Sequence, residues 1–255
     1  MKYTTLENRL VESITRSIKD VTPGVVVRAY QSGKLIVDIS VGQTYPYYDL
    51  ASLTKIIFTV QAMMQAYDKG FWDLQQSVQS HLPWFPHREI SNKEILIKDL
   101  LTHTSGLPWW LPLYKEISNE VPISKRWDVV QQHIVGASFE NIGKSVYSDV
   151  GFWVLKFILE KFYEAPIDEI WKKIKEDFYP ATTFDFNLNN QPVHQQNFYA
   201  PTEQCPWRGK LLQGEVNDEN AWSLGGLSTH AGLFGSIDDL GWYSLHLRSQ
   251  LMGIA

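Results

Sequence analysis

The 255-residue chain has one cysteine, Cys205. That excludes an intrachain disulfide, and no Cys/His spacing offers a zinc site. It has no apolar run long enough to span a bilayer. The opening residues, Met1 to Asn8, lack the apolar stretch of a signal peptide. As written, the chain reads as cytoplasmic; a periplasmic or extracellular place applies if a leader was removed. Neither charge sign dominates: 23 Lys and Arg stand against 28 Asp and Glu, for a formal net charge of −5. A basic stripe and a like-charged tail are both missing, so nucleic acid is not an expected partner. A small-molecule or peptide substrate remains open. Repeats and low-complexity tracts are missing too. What is present is apolar: 44% hydrophobic and 13% aromatic residues. That is enough for one large domain or two closely packed lobes.

Leu6, Leu10, Ile14 and Ile18 make a narrow helical stripe over Leu6 to Val21, broken by Thr22-Pro23-Gly24. Gly24 to Tyr30 and Leu35 to Val41 are rich in Val and Ile around the turn Gln31-Ser32-Gly33-Lys34, which predicts a β-hairpin. Ser52 to Lys69 reads as a helix stopped by Gly70, apolar on so much of its circumference that burial in the middle of the protein is expected. Further helices are predicted over Ile97 to Thr102, Lys125 to Val135, Tyr147 to Phe162, Pro166 to Phe178 and Ile237 to Met252. Residues 181 to 222 read as a long irregular stretch. Helices dominate and one strand pair is clear.

Four segments carry candidate chemistry. In Ser52-Leu53-Thr54-Lys55, helical spacing places the lysine one turn from the serine. A serine hydroxyl needs a base, and burial disfavours the charged ammonium, which suits an amine to that task. Ser52 would lie in the first turn, where free N–H groups favour developing negative charge. Tyr147-Ser148-Asp149 could shuttle a proton and hold a substrate amide; it also fits an ordinary capped helix start. His103, in Leu100 to Pro108, reads better as part of a hydrogen-bonded turn than as a base. His230 lies in a glycine-rich segment, Gly225 to Gly235, and either faces a pocket or bonds to nearby backbone.

Taken together, the four segments resemble the serine β-lactamase and penicillin-binding-protein superfamily. Class C β-lactamases, D-alanyl-D-alanine carboxypeptidases and related esterases look most alike. Ser52 to Lys55 looks like its Ser-x-x-Lys motif, and Leu100 to Leu107 is similar to a landmark of the same group. Tyr147-Ser148-Asp149 looks like its Tyr-x-Asn motif with Asp in place of Asn, and Leu224 to Leu240 resembles its Gly-Gly-Leu segment. The resemblance runs from about residue 24 to the end. It implies an α+β fold, with a helix-rich lobe and an antiparallel sheet, in a single domain over 1–255. It also implies a serine hydrolase acting through an acyl-enzyme on an amide, ester or β-lactam carbonyl. Ser52 would be the nucleophile, Lys55 the base and Tyr147 the proton relay. Asp149 would hold the substrate or the Lys55 ammonium, with His230 a further candidate for substrate binding. No metal and no organic cofactor would be needed. The added charge of Asp149 favours the ammonium form of Lys55.

The family's third motif, Lys-Thr-Gly or His-Thr-Gly, occurs nowhere in the chain, and His230-Ala231-Gly232 aligns with the segment before it. The expectation is an incomplete sheet, its C-terminal strands missing and an edge left open, and one fewer oxyanion donor. Three cases follow: a fragment, a short form that borrows strands from another chain or an oligomer, or a weakly active relative. The alternative function is a catalytically impaired binding or scaffold protein on the same fold.

Overall fold

The computed structural model describes residues 4–87, 94–117 and 120–253. Helix α1 (Thr5–Ser17) starts at a capping box: Thr4 Oγ1 accepts from the Glu7 N–H, and the Thr4 N–H donates to Glu7. It lies against the hairpin of β1 (Gly24–Gln31) and β2 (Lys34–Gly42). Ser32 and Gly33 turn the hairpin with positive φ, 51° and 80°, as the right-handed strand twist requires of a two-residue turn. Val37, Ile39 and Val41 of β2 point inward, alternating with exposed neighbours.

After β3 (Tyr48–Asp49) the chain enters the helix that carries Ser52 and Lys55. This helix is π-type over Lys55–Val60 and continues as α2 (Gln61–Asp68). Short helices α3 (Val78–His81) and α4 (Ile97–Leu101) follow, then α5 (Ile123–Val135), α6 (Asp149–Tyr163) and α7 (Ile167–Phe178). In α7, Ile167, Ile170, Trp171 and Ile174 recur at helical spacing and are all buried, while Asp168 and Glu169 suit the dipole of its first turn. The last part contains β4 (Asp185–Phe186), β5 (Pro201–Cys205), β6 (Lys210–Gln213), α8 (Glu219–Ser223), β7 (Leu233–Gly235) and α9 (Ile237–Leu251).

Two expectations are corrected. The helix buried on nearly all sides is α6, in which Val150 and Phe152 to Leu155 are at most 2% exposed. The Ser52 helix instead turns Leu53, Ile56, Met64 and Tyr67 to solvent, a stripe that its apolar composition alone does not reveal. The stretch 181–222 holds a hairpin, β5–β6, and the strand β4. So the strands form three antiparallel sheets, β1–β2, β3–β7–β4 and β5–β6, rather than one pair. The two-residue strands β3 and β4 are too short to show alternation, and β5 and β6 are exposed at successive positions, which is why periodicity misses them. Among the described residues β1 and β2 pair only with each other.

The three-stranded sheet positions the site. Asp49 pairs with Phe234 of β7, and the Leu50 N–H donates to Leu233 O at 2.9 Å. The fully buried Thr54 hydroxyl accepts from the Leu233 N–H at 3.1 Å. Thr59 Oγ1 donates to Thr229 O at 2.6 Å, and Thr229 Oγ1 to Phe152 O at 2.7 Å. These bonds zip residues 229–234 along the Ser52 helix and tie both to α6.

Candidate active site

Ser52 follows a strained residue. Ala51 has φ 46°, a region that costs a residue with a side chain energy. Asp49 holds it there: Oδ1 accepts from the Ala51 N–H at 2.8 Å and Oδ2 from the Asn217 N–H at 2.7 Å. Burial pushes the Asp49 carboxyl up, against the pull of these two N–H groups. The result is a solvent-exposed Ser52 at the head of a helix, as its motif predicts.

Lys55 is 3% exposed. Its Nζ lies 3.1 Å from Ser52 Oγ, 2.9 Å from the carbonyl oxygen of His230 and 2.7 Å from Asp149 Oδ1. The first two are hydrogen bonds that Nζ donates; the Asp149 carboxylate is paired with it by charge and distance. The ring of Tyr147 lies under the same nitrogen, 4.9 Å away at its centroid, with Phe152 at 5.5 Å. Ser52, Lys55, Tyr147 and Asp149 are therefore brought together.

The turn at 102–110 builds the Tyr147–Asp149 corner. His103, at φ 58°, takes the Ser148 N–H on Nδ1 at 3.0 Å and stacks on Tyr147 at 4.5 Å. Ser148 Oγ donates to Pro108 O at 2.6 Å and accepts the Gly151 N–H, so Ser148 caps α6. The Asp149 N–H donates to Trp109 O at 2.9 Å. Burial, with the nearby Lys55 cation, pushes the His103 ring down from its ordinary value. The structural reading of His103 is the one this geometry supports.

His230 is 1% exposed, so its ring does not line the cleft as the substrate-binding expectation supposed; its contribution is its carbonyl oxygen. The ring is locked from both sides. Trp153 Nε1–H donates to Nδ1 at 2.9 Å, and Nε2 lies 3.0 Å from Asp218 Oδ1. An indole N–H only donates, so Nδ1 accepts and Nε2 carries the proton given to Asp218. Burial works to raise the Asp218 carboxyl, but the His230 ring, the Ala221 N–H and the Lys55 cation outweigh it and hold it at about 2.

Asp218 and Trp153 are the residues that sequence reasoning missed. The signal for Asp218 is its place before Glu219-Asn220-Ala221-Trp222, where it caps α8 by accepting the Ala221 N–H at 2.7 Å. Ligand-type atoms of Asp149, Asp218 and His230 lie within 4.8 Å of one another. Of these atoms, Asp149 Oδ1 is the one that pairs with Lys55 Nζ, at 2.7 Å.

A family model described as Beta-lactamase matches residues 8–252. A Bacillus subtilis (strain 168) protein named N-acetylmuramyl-L-alanine amidase is 29% identical over 94% of this chain and 62% of its own length. A putative D-alanyl-D-alanine carboxypeptidase of Salmonella agona (strain SL483) is 28% identical over 84% of this chain and 53% of its own. The chain thus spans between about half and two thirds of the curated relatives it matches. Among solved structures, the octameric penicillin-binding protein homologue from Pyrococcus abyssi superposes with TM-score 0.70 at 20% identity, over 95% of this chain and 56% of that one. A class C beta lactamase from Rhodobacter sphaeroides gives 0.68 at 18% identity, over 99% of this chain and 66% of that one. No helix among the described residues is long and apolar enough to cross a membrane. With four motifs in order and a family model matched over nearly its whole length, the chain belongs to the beta-lactamase family.

Proposed function

We propose that the chain is a serine hydrolase that opens an amide, ester or β-lactam carbonyl through an acyl-enzyme on Ser52. The observation that carries this is the 3.1 Å approach of Lys55 Nζ to Ser52 Oγ at the exposed head of a helix. In the uncharged amine, one N–H stays on His230 O, and the lone pair faces Ser52 Oγ. Ser52 Oγ attacks the carbonyl carbon and its proton passes to Nζ. The Ser52 N–H, which makes no hydrogen bond within the described chain, is free to meet the developing oxyanion. The carbon–leaving-group bond then breaks, and the ammonium returns its proton to the leaving atom. Water repeats the sequence to release the acid.

Tyr147, beside Lys55, is the candidate to relay that proton to the leaving atom. Its ring face supports the ammonium, and among the described residues no hydrogen bond joins its hydroxyl to Ser52 or Lys55. Two relatives named as an amidase and a carboxypeptidase favour an amide substrate. The test is labelling by a fluorophosphonate. Wild type is expected to label and Ser52→Ala not to. Lys55→Ala should slow labelling by ~10²–10⁴-fold, the usual worth of a general base. Unlabelled wild type at high probe concentration overturns the reading in favour of an impaired binding relative.

A further inference from the structure

A set of polar groups behind Lys55 takes no part in the acyl-transfer steps. His230 gives Lys55 its carbonyl oxygen, 2.9 Å from Nζ, while its ring is buried. That ring is clamped. Trp153 Nε1–H donates to Nδ1 at 2.9 Å, Ser228 Oγ lies 2.7 Å from the same nitrogen, and Asp218 Oδ1 accepts from Nε2 at 3.0 Å. Trp153 lies on α6, one turn after Asp149, and Asp218 caps α8. The His230 peptide is thus held through its ring from two helices, and with it the oxygen that receives Nζ.

Asp218 brings more than a cap requires. As the cap of α8 its Oδ1 accepts the Ala221 N–H at 2.7 Å, and an asparagine oxygen accepts such a bond equally well. The same oxygen of an asparagine would also accept the His230 N–H. Charge is what asparagine lacks, and burial works against that charge. The charge bears on the base. The Lys55 cation favours the ionised form of Asp218, and one Coulomb interaction acts on both partners, so Asp218 favours the ammonium in turn. An oxygen of Asp149, the carboxylate paired with Nζ at 2.7 Å, lies within 4.8 Å of one of Asp218. Two carboxylates therefore bias one amine. The other titratable groups here are His103 and Tyr147, beside Lys55, and Asp49, which faces Asp218 from β3 with Arg208 opposing it.

We propose that Asp218 is a positioning residue for Lys55, acting through the His230 ring on where the amine sits and through its own charge on how readily the amine gives up its proton. Its meaning for catalysis rests on the hydrolase reading: Asp218 would set the pH range over which Ser52 is activated.

The test is a magnetic-resonance titration of Lys55 in the full chain, with isotope-labelled lysine and the Lys55 ε-methylene signal assigned by its loss in Lys55→Arg. Asp218→Asn keeps both acceptor roles and removes the charge. Its Lys55 midpoint should fall by about one pH unit, the lower end of what a nearby charge does. The acid limb of fluorophosphonate labelling at Ser52 should move down with it, with little change at the high-pH plateau. Asp218→Ala also frees the ring, and should add a fall of about tenfold or more at the plateau. Both shifts should persist in a His103→Asn background, where that ring no longer titrates. A role in folding alone lowers labelling at every pH and leaves the midpoint in place. An unmoved Lys55 midpoint in Asp218→Asn overturns the proposal, and that variant alone decides if Asp218→Ala does not fold. The two readings fail separately. A moved midpoint in a chain whose Ser52 never labels sinks the hydrolase alone. Labelling at Ser52 with an unmoved midpoint sinks the positioning role alone.

Discussion

Ala51 shows how one residue carries the cost of presenting another. Its left-handed backbone is held by Asp49 from below and by Thr54, whose hydroxyl donates to Ala51 O at 2.6 Å. Glycine adopts that conformation without penalty and the methyl lost is exposed, so Ala51→Gly should stabilise the fold by roughly 0.5–1 kcal/mol. Denaturant melts would check this; a lower midpoint would show that the conformation is not strained. His103 gives a pH dependence of known sign. Its folded value is pushed below the ordinary one of 6.5, by burial first and by Lys55 second, against an opposing pull from Asp149. Protonation therefore costs the folded state more than the unfolded one. The stability it contributes is full above pH 6.5 and is lost as pH falls through its lower folded value. His81, also pushed down by burial and by Lys161, acts in the same direction. Asn at 103 keeps an acceptor for the Ser148 N–H and tolerates the positive φ. His103→Asn should therefore flatten the acid limb, read as urea midpoints at pH 7.5 and 5.5; an unchanged slope sinks the assignment.

At the scale of elements, the 102–110 turn governs the corner from which α6 starts. Gly106 is its hinge: φ is 79°, and a Cβ would lie 2.4 Å from Ile142 Cγ1 and 2.8 Å from Glu140 O. The turn reaches across to 140–143 through the Glu140 N–H to Gly106 O and the Gly143 N–H to Thr104 O, both at 2.8 Å. Gly106→Ala combines a forbidden contact with a disfavoured backbone and should cost about 2 kcal/mol or more. Because the same turn seats Tyr147 to Asp149, slower labelling of Ser52 should accompany the lower melting temperature. Loss of stability with labelling intact would separate the turn from the site. This part of the site was legible in sequence as a landmark, but its work was not. Nothing in Leu100 to Trp109 shows that three of its residues, His103, Pro108 and Trp109, hold a segment some forty positions away.

For the whole molecule, the weak point is the sheet. Among the described residues neither β1 nor β2 has a strand on its outer edge, and β1 lies next to a cavity of about 520 Å³ lined also by Tyr48, Leu53, Ile237 and Leu240. Leu35 and Ile36 of β2 are exposed as well. Unpaired N–H and C=O groups beside apolar surface are a template for another chain. The purified chain should self-associate with rising concentration in sedimentation velocity, and lysine at Val25 or Ile36 should reduce it. A monomer at all concentrations, stable and fully active, would refute this.

Sequence alone determined the family resemblance, the order of the helices and the pairing of Ser52 with Lys55, because these depend on spacing within one element or one turn. It located Asp149 for the same reason: the residue heads a helix whose apolar period is plain. The tertiary structure alone decided which face of the Ser52 helix is buried, since that depends on what packs there and not on composition. It also decided that β3, β4 and β7 are strands, as two or three residues pair only when a distant partner arrives. The same dependence on distant partners turned His230 inward, set Asp218 and Trp153 on either side of its ring, and left its carbonyl to Lys55. Those contacts join positions far apart in the chain, and no local pattern of residues encodes them.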